Sequence, residues 1–367
     1  MLDLPDIKTA SLQGKTVFLR ADLDAPVEEK NGMKVVVDDT RLVLGMQTIE
    51  YLLGEGANIV IAGHLRRPEG FDKSLSLLPI AKWYNKELRI MHYAASGEPR
   101  LWRESRIEEC NLGEFPGWKL SPRISLLENL RFFKEEKTDD KAFAKKLASL
   151  ADIYVNDAFA SSHRRHASIV GVPQFLPHYA GFHVQDEVSV LSSIMEDPAR
   201  PFVVVIGGAK IETKLPLVTK MHGLADAILV GGKIATEAKN LLKGEREHVT
   251  GHKAELIIAD VNPEGTDITL LSVQKFLQVI KTANTIVWNG PVGYVEDPKG
   301  EGIKGSEMLA QGILEGGSYS VVGGGDTLEF LRSQNLLDKF SFFSTGGGAM
   351  LAFLSGEKLP GIEALLK

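Results

Sequence analysis

Arginine and glycine are distributed unevenly along this chain. Thirteen of its fifteen arginines lie in the first 200 residues, whereas 24 of its 36 glycines lie in the last 167. Arginine presents a rigid, permanently charged fork that matches carboxylate and phosphate oxygens, and glycine lets backbone N–H groups approach a polyphosphate closely. The first part of the chain is therefore predicted to bind an acid, and the second part a nucleotide.

Charged side chains in the first part follow short apolar runs. The segment VFLRADLDAP sets Asp22 and Asp24 on the same side of an extended strand end, and His64 and Arg67 follow another apolar run. Three more arginines stand in comparable motifs: Arg41, Arg131 and Arg164. A single exposed arginine is usually a weak surface ion pair, but several at strand ends together favour an anion site.

Four glycine turns in the second part stand between a predicted strand and a predicted helix: 207–208, 231–232, 323–325 and 346–348. Each would open a helix N-terminus, where free N–H groups and the helix dipole favour phosphate. A tight connection between strand and helix is the alternative for any one turn. The four together favour a nucleotide site.

Three charged residues accompany these turns. Lys210 and Lys214 lie one helical turn apart, so both ammonium groups can reach the same anion; two lysines on a solvated face are the alternative. Asp326 follows the third turn, where it can meet a Mg²⁺ ion that a nucleotide carries. Asp326 is equally well placed to cap a helix.

Short apolar runs alternate with helical patterns and would position these motifs. The predicted strands are 16–19, 58–62, 153–155, 202–206, 227–230, 256–259, 285–288, 319–322 and 340–343. This alternation is typical of doubly wound α/β sheets, in which ligands lie beyond the carboxyl ends of the strands. Asp39 and Thr40 are predicted to cap a helix that carries Arg41 in its first turn and ends near Gly54.

Length and composition limit the possible classes. A chain of 367 residues suggests two domains, and the helical pattern of 185–197 is the predicted connector. A net charge of −6 argues against general binding to nucleic acid or to anionic membranes. The single cysteine, Cys110, excludes an intrachain disulfide, and the first ten residues lack secretory features. We expect a cytoplasmic protein.

The motifs, taken in order, resemble the phosphoglycerate kinase family. They are VFLRADLDAP, VDDTR, AGHLRRP, ENLRF, YVNDAFASSHRRHAS, GGAKIETK, TIVWNGPVGYVE, VVGGGDT, FSTGGGA and LPGIEAL. The resemblance implies two doubly wound, Rossmann-like parallel-sheet domains joined by a helix and a hinge. Residues 1–184 would bind phosphoglycerate, 185–200 would connect, 201–350 would bind the nucleotide, and 351–367 would return to the first domain. It also implies a monomer.

The implied reaction is the reversible, Mg²⁺-dependent transfer of a phosphoryl group from 1,3-bisphosphoglycerate to ADP in glycolysis and gluconeogenesis. The positions that match the family's phosphoglycerate site are Asp22, Asp24, Arg41, His64, Arg67, Arg131 and Arg164. The nucleotide positions are Gly208, Lys214, Gly232, Asn289, Pro291, Glu296, Gly324, Gly325, Asp326 and Thr327, with Asp326 on the Mg²⁺ ion. Charge that develops during transfer would be stabilised by Arg41, Lys210, Gly346 and Gly347.

The chain departs from the family pattern at three places. Asp24 replaces a usual asparagine, which removes a donor, adds negative charge beside an anionic substrate and is expected to weaken its binding. Arg66 replaces a usual glycine and would either contact phosphate or point into solvent. The segment between turn 231–232 and Trp288 is shortened, which leaves the base preference open.

Two other functions are weighed against the kinase. A noncatalytic sensor of phosphoglycerate or nucleotide could retain the same fold. An NAD-dependent dehydrogenase would need a GxGxxG motif directly after a strand, and the match at 300–305 follows no predicted strand.

Overall fold

The computed structural model describes residues 2–96, 107–209, 212, 214–235, 237–238, 254–297 and 300–367. These residues form two compact units. One unit combines Leu2–Val188 with Leu359–Lys367, and the other is Ser189–Lys358. Each unit is built on its own sheet.

The first unit contains a seven-stranded sheet and a separate hairpin. Its strands are β1 (Thr16–Ala21), β2 (Val27–Lys30), β3 (Met33–Val36), β4 (Asn58–Ala62), β5 (Glu108–Leu112), β6 (Phe115–Ser121), β7 (Ile124–Leu127), β8 (Ile153–Asp157) and β9 (His178–Ala180). The order in the sheet is β5-β6-β7-β4-β1-β8-β9, and β2 pairs with β3 in the hairpin. Strands β7, β4, β1, β8 and β9 are parallel, whereas β5 and β6 extend the sheet in antiparallel pairs.

Helices cover the sheet of the first unit. They are α1 (Thr40–Gly54), α2 (Leu78–Ser96), α3 (Lys134–Lys137), α4 (Lys141–Ala148) and α5 (Phe182–Glu196). The capping prediction for α1 is wrong in detail, because the side chain of Asp39 makes no capping hydrogen bond. The Asp38 carboxylate instead accepts from the backbone N–H of Thr40 at 3.0 Å and from its hydroxyl at 2.7 Å.

The second unit contains a fully parallel six-stranded sheet. Its strands are β10 (Phe202–Ile206), β11 (Ala227–Val230), β12 (Glu255–Ile258), β13 (Thr285–Asn289), β14 (Tyr319–Gly323) and β15 (Phe342–Ser344). Their order, β12-β11-β10-β13-β14-β15, changes direction between β10 and β13. That is the switch point of a doubly wound sheet, so the predicted fold class is confirmed.

The helices of the second unit are α6 (Leu215–His222), α7 (Leu270–Ile280), α8 (Lys304–Gly316), α9 (Gly325–Ser333) and α10 (Gly347–Leu354). The turns 323–325 and 346–348 open α9 and α10 directly, as predicted. After turn 207–208, α6 begins at Leu215, and residues 210, 211 and 213 between them lie outside the described residues. The match to GxGxxG at 300–305 leads into α8 and directly follows no described strand.

The last residues of the chain pack on the first unit. Helix α11 (Pro360–Glu363) carries Gly361, whose N–H donates to the carbonyl of Ser162 at 2.8 Å. A Cβ atom at Gly361 would come within 2.7 Å of Ile169 Cγ2, so this approach requires glycine. Among the helices in the described part of the chain, none is long and apolar enough to cross a membrane.

Candidate active site

The carboxyl end of β1 brings a carboxylate and an arginine together. The Asp22 carboxylate is almost fully buried and accepts a hydrogen bond from Arg41 Nη1 at 2.8 Å. This ion pair raises the pKa of Arg41 above its usual value, against the opposing effect of burial. Arg41 stays charged, and its side chain keeps 29% of its surface exposed for a ligand.

His64 is held as a neutral hydrogen-bond donor. Arg20 Nη2 lies 3.0 Å from His64 Nδ1, and because a guanidinium only donates, Nδ1 must accept and the proton must sit on Nε2. Burial and the charge of Arg20 together hold the pKa of His64 well below its usual value. His64 therefore offers an Nε2–H group without a positive charge.

A buried network fixes Arg20. Its Nε atom donates to the Ser168 hydroxyl at 2.8 Å and its Nη1 atom to the Ala21 carbonyl at 2.6 Å. Ser168 in turn donates its hydroxyl and its N–H to the Glu136 carboxylate, at 2.6 and 2.9 Å. The sequence prediction missed Glu136 and Ser168. A charged residue inside the apolar run of β1 is the signal that could have pointed to a buried counter-charge.

Two side chains hold the backbone of Arg66. Asp24 Oδ1 accepts from the Arg66 N–H at 2.8 Å, and Arg131 Nη1 donates to the Arg66 carbonyl at 2.5 Å. Arg66 has a φ of 57°, a left-handed conformation that non-glycine residues adopt at a cost. The loop that carries His64 and Arg67 is thus clamped on both sides of one residue, while the side chain of Arg66 is exposed.

The remaining cations of this unit repel one another. Burial and the neighbouring charges of Arg164 and Arg20 lower the pKa of Arg131 to about 10. Burial and Arg67 also lower the pKa of Arg164. Repulsion of this kind is relieved when an anion binds, so the cluster is a candidate anion site.

Two further histidines border these arginines. Burial and Arg164 lower the pKa of His163 to about 4, and burial and Arg20 lower the pKa of His166 to about 3. Both rings are neutral at neutral pH. The positive charge of the cluster therefore comes from arginine.

Backbone turns form the corresponding site in the second unit. The N–H of Gly207 donates to the Asn289 carbonyl at 3.0 Å and that of Gly208 to the Pro291 carbonyl at 2.9 Å. The N–H of Gly232 donates to the Val292 carbonyl at 2.8 Å. With a φ of 68°, Gly232 would also bring an added Cβ atom within 2.9 Å of the Gly208 backbone. Only glycine permits these turns to interlock.

Lys214 is the described lysine of this site, whereas Lys210 lies outside the described residues. Lys214 is half-buried and its Nζ atom donates to Asn289 Oδ1. Burial lowers the pKa of Lys214 to about 8, and the charge of Asp326 opposes this effect. An anion beside Lys214 would restore the charge of its ammonium group.

Asp326 and Thr327 occupy the first turn of α9 in different ways. Asp326 is exposed at the carboxyl end of β14. Thr327 is buried, and its hydroxyl accepts from the Gly290 N–H at 2.8 Å. Thr327 therefore holds the turn after β13 in place.

A pocket opens beside these turns. Its lining includes Gly208, Gly232, Lys233, Tyr294, Glu296 and Asp326. The ammonium group of Lys233 lies 5.4 Å from the centroid of the Tyr294 ring. The pocket thus combines backbone turns, an aromatic ring and three carboxylates, since Asp267 also lines it.

The N-terminus of α10 lies at the end of β15. Gly346 precedes the helix and its carbonyl accepts from the Met350 N–H at 3.1 Å. The first N–H groups of a helix, which begin here with Gly347, have no partner within the helix. They are available to negative charge.

The fold and these two sites define a two-domain α/β phosphotransferase. The family model described as phosphoglycerate kinase matches residues 7–246 and 238–357. The chain belongs to the phosphoglycerate kinase family.

Individual relatives match over nearly the whole chain. The phosphoglycerate kinase of Dictyoglomus turgidum is 34% identical, covering 98% of both chains. The cytosolic phosphoglycerate kinase 3 of Arabidopsis thaliana is also 34% identical, over 98% of this chain and 97% of the relative. The structure of the Coxiella burnetii phosphoglycerate kinase covers 99% of both chains at 30% identity, with a TM-score of 0.79. These matches confirm the resemblance and the expectation of a kinase, and none supports the noncatalytic sensor.

Proposed function

We propose that this chain transfers a phosphoryl group reversibly between 1,3-bisphosphoglycerate and ADP, giving 3-phosphoglycerate and ATP. The first unit would bind the phosphoglycerate, and Ser189–Lys358 would bind the nucleotide. The observation that carries this proposal is the mutually repelling arginine cluster at strand ends in a member of this family. We also propose that the enzyme is a cytoplasmic monomer.

Different side chains of the first unit would bind the two ends of the phosphoglycerate. Arg67, Arg131 and Arg164 would bind the phosphate that is not transferred, and His64 would donate its Nε2–H to the same group. Arg41, held by Asp22, would face the carboxyl end of the substrate, where the acyl phosphate forms and breaks. The guanidinium fork suits both phosphate and carboxylate oxygens.

The turns at Gly208, Gly232 and Gly324–Gly325 would approach the nucleotide phosphates, and Lys214 would pair with them. Pro291 and Glu296 would border the pocket that takes the rest of the nucleotide, with Asn289 holding Lys214.

One observation bears on Mg²⁺. In the part of the chain that the structure describes, no three His, Cys, Asp or Glu side chains cluster as a metal site, but Asp326 is exposed beside the phosphate-binding turns. A single carboxylate fits an ion that takes most of its ligands from phosphate oxygens and water. Asp326 would hold Mg²⁺, which when bound neutralises charge on the phosphate oxygens.

Catalysis would come from positioning and from fixed positive charge. The transferring group spreads negative charge over its oxygens, so it needs donors that are already oriented. Arg41, Lys210 and the N–H group of Gly347 would supply them, without a covalent enzyme intermediate. The N–H group of Gly346, which the sequence also predicted for this role, already donates to the Ser344 hydroxyl at 3.2 Å. Because the phosphoryl group would pass directly from one substrate to the other, we also propose a hinge movement. A radius of gyration that is unchanged when both substrates are bound would contradict this movement.

A coupled assay of ATP formation tests this function. Purified enzyme is mixed with 1,3-bisphosphoglycerate and Mg-ADP. A parallel assay uses Mg-GDP in place of Mg-ADP to define the base preference. We expect turnover at about 1–100 per second, as is typical of kinases. Turnover no higher than in the Arg41→Ala variant would refute the proposal.

A further inference from the structure

Asp24 places a carboxylate inside the arginine cluster of the first unit. Its Oδ1 atom accepts from the Arg66 N–H at 2.8 Å, and its Oδ2 atom lies 4.0 Å from His64 Nε2. Its side chain is 30% exposed, so it faces both the cluster and the space that a ligand would enter. The negative charge of Asp24 raises the pKa of Arg131 and of Arg164, against the effects of burial and of the neighbouring arginines.

We propose that Asp24 is an internal counter-ion of the phosphoglycerate site, which stabilises the arginine cluster without ligand and thereby lowers its affinity for the acid. This inference rests on the proposed function. It assigns Asp24 a role in setting affinity, in addition to its contact with the loop.

The first part of the argument concerns charge. Arg164 and Arg20 lie close enough to lower the pKa of Arg131, and Arg67 lies close enough to lower that of Arg164. A carboxylate among such cations reduces their mutual repulsion. A bound phosphate would reduce the same repulsion. The ligand therefore gains less on binding, and it also meets the negative charge of Asp24.

The second part concerns hydrogen-bond donors. His64 carries its proton on Nε2, because Arg20 occupies Nδ1, and Nε2 lies 4.0 Å from Asp24 Oδ2. A carboxylate can only accept there and draws the donor toward itself. An asparagine amide would place a second donor beside His64, and both could then point to one phosphate or carboxylate oxygen.

Two variants of Asp24 separate the effect of its charge from the effect of its hydrogen bond to the Arg66 N–H, which holds the loop. In Asp24→Asn the amide oxygen can still accept from the Arg66 N–H, so the clamp on the left-handed residue is kept. In Asp24→Ala the acceptor is lost as well. The first variant tests the charge, and the second shows what the clamp contributes.

Calorimetric titration with 3-phosphoglycerate tests the inference. Relative to the wild type, Asp24→Asn should lower the Kd about tenfold, the size expected for one charge-assisted hydrogen bond and one relieved repulsion. Asp24→Ala should gain less. The control Glu28→Gln removes an exposed carboxylate from the hairpin and should change the Kd by less than about twofold because surface charges are screened. An unchanged or higher Kd for Asp24→Asn overturns the inference.

Thermal unfolding without ligand gives a second readout. Asp24→Asn should lower the midpoint by about 2–4 °C, and saturating 3-phosphoglycerate should raise it more than in the wild type. A higher midpoint without ligand contradicts the counter-ion. If the wild type itself fails to bind 3-phosphoglycerate, the proposed function falls and takes this inference with it. If the wild type binds and the variant binds no better, only the inference falls.

Discussion

The candidate site of the first unit consists mainly of charged side chains, whereas that of the second consists mainly of backbone turns. In the first unit, side chains supply the charge, and a buried network through Arg20, Ser168 and Glu136 fixes their orientation. In the second, backbone turns hold one another through the N–H groups of Gly207, Gly208 and Gly232, and glycine is required at position 232 because the turns touch one another. A site of side chains can be tuned by single charges, whereas a site of backbone turns is set by shape. Substitutions of charged side chains in the first unit should therefore act mainly on affinity and rate, whereas substitutions of the glycine turns in the second should act on stability as well.

The largest effect is expected at Arg41. Arg41→Ala removes a charge that the Asp22 pair holds at the strand end, so kcat should fall about 10³-fold, the size seen when a positioned arginine is lost from phosphoryl transfer. Steady-state ATP formation measures this loss. Arg165→Ala is the matched control, because Arg165 is exposed and pairs only at the surface with Asp139 at 3.3 Å. A comparable loss in both variants would show that general charge, and not the position of Arg41, matters.

The next effect concerns the backbone site. Gly232→Ala forces a side chain onto a residue with φ of 68° and against the Gly208 backbone, so the free energy of unfolding should fall by about 1–3 kcal/mol and the KM for Mg-ADP should rise. Denaturant unfolding and initial rates measure the two quantities. Gly223→Ala provides the comparison, since its Cβ atom would meet nothing closer than 3.8 Å. Equal stability of both variants would argue against the interlocked turns.

A smaller effect is expected at Lys214 of the second site. Because burial holds the pKa of Lys214 at about 8, its ammonium group has lost much of its proton at pH 8.5. Phosphate oxygens favour the charged form, so binding of ADP at pH 8.5 should take up about half a proton or more. At pH 6.5 Lys214 is already charged and contributes no uptake.

Calorimetry in buffers of different ionisation enthalpy measures this proton uptake. Lys214→Met should abolish the part that appears between pH 6.5 and 8.5. Uptake that persists in the variant would assign the proton to another group.

The smallest expected signal comes from the neutral histidine of the first site. Burial and Arg20 hold the pKa of His64 well below 6.5, so its imidazole resonances should not shift between pH 8 and pH 6. Nuclear magnetic resonance with His64→Asn for assignment measures this. A titration midpoint near 6.5 would mean that His64 binds the acid as a cation and that its Nε2–H tautomer is not fixed.

The contrast between the sites also explains what could be predicted from the sequence. The strands of the second sheet follow continuous apolar runs, as buried parallel strands do, and every one was located to within about two residues. Strands β5 and β6 were missed because their antiparallel pair mixes exposed and buried residues without such a run, and β7 was missed although its four residues are all buried. Helix α5 likewise begins three residues before the predicted connector.

Site residues were predictable by type and by their place at strand ends. The contacts between them were not. Ser168 reaches Arg20 across 148 residues of chain, and Asp24 meets the peptide of Arg66 across 42. No local pattern encodes such distances. The clamp on Arg66 and the tautomer of His64 follow only from the folded arrangement.

One cross-titration tests the division between the two sites most directly. Arg67→Gln removes an exposed cation of the first unit, and Lys214→Met removes the half-buried cation of the second. Each variant is titrated separately with 3-phosphoglycerate and with Mg-ADP. We predict that Arg67→Gln weakens only the binding of 3-phosphoglycerate, and Lys214→Met only that of Mg-ADP, by about tenfold each. Loss of Mg-ADP binding in Arg67→Gln with 3-phosphoglycerate binding intact, or the reverse in Lys214→Met, would contradict the account.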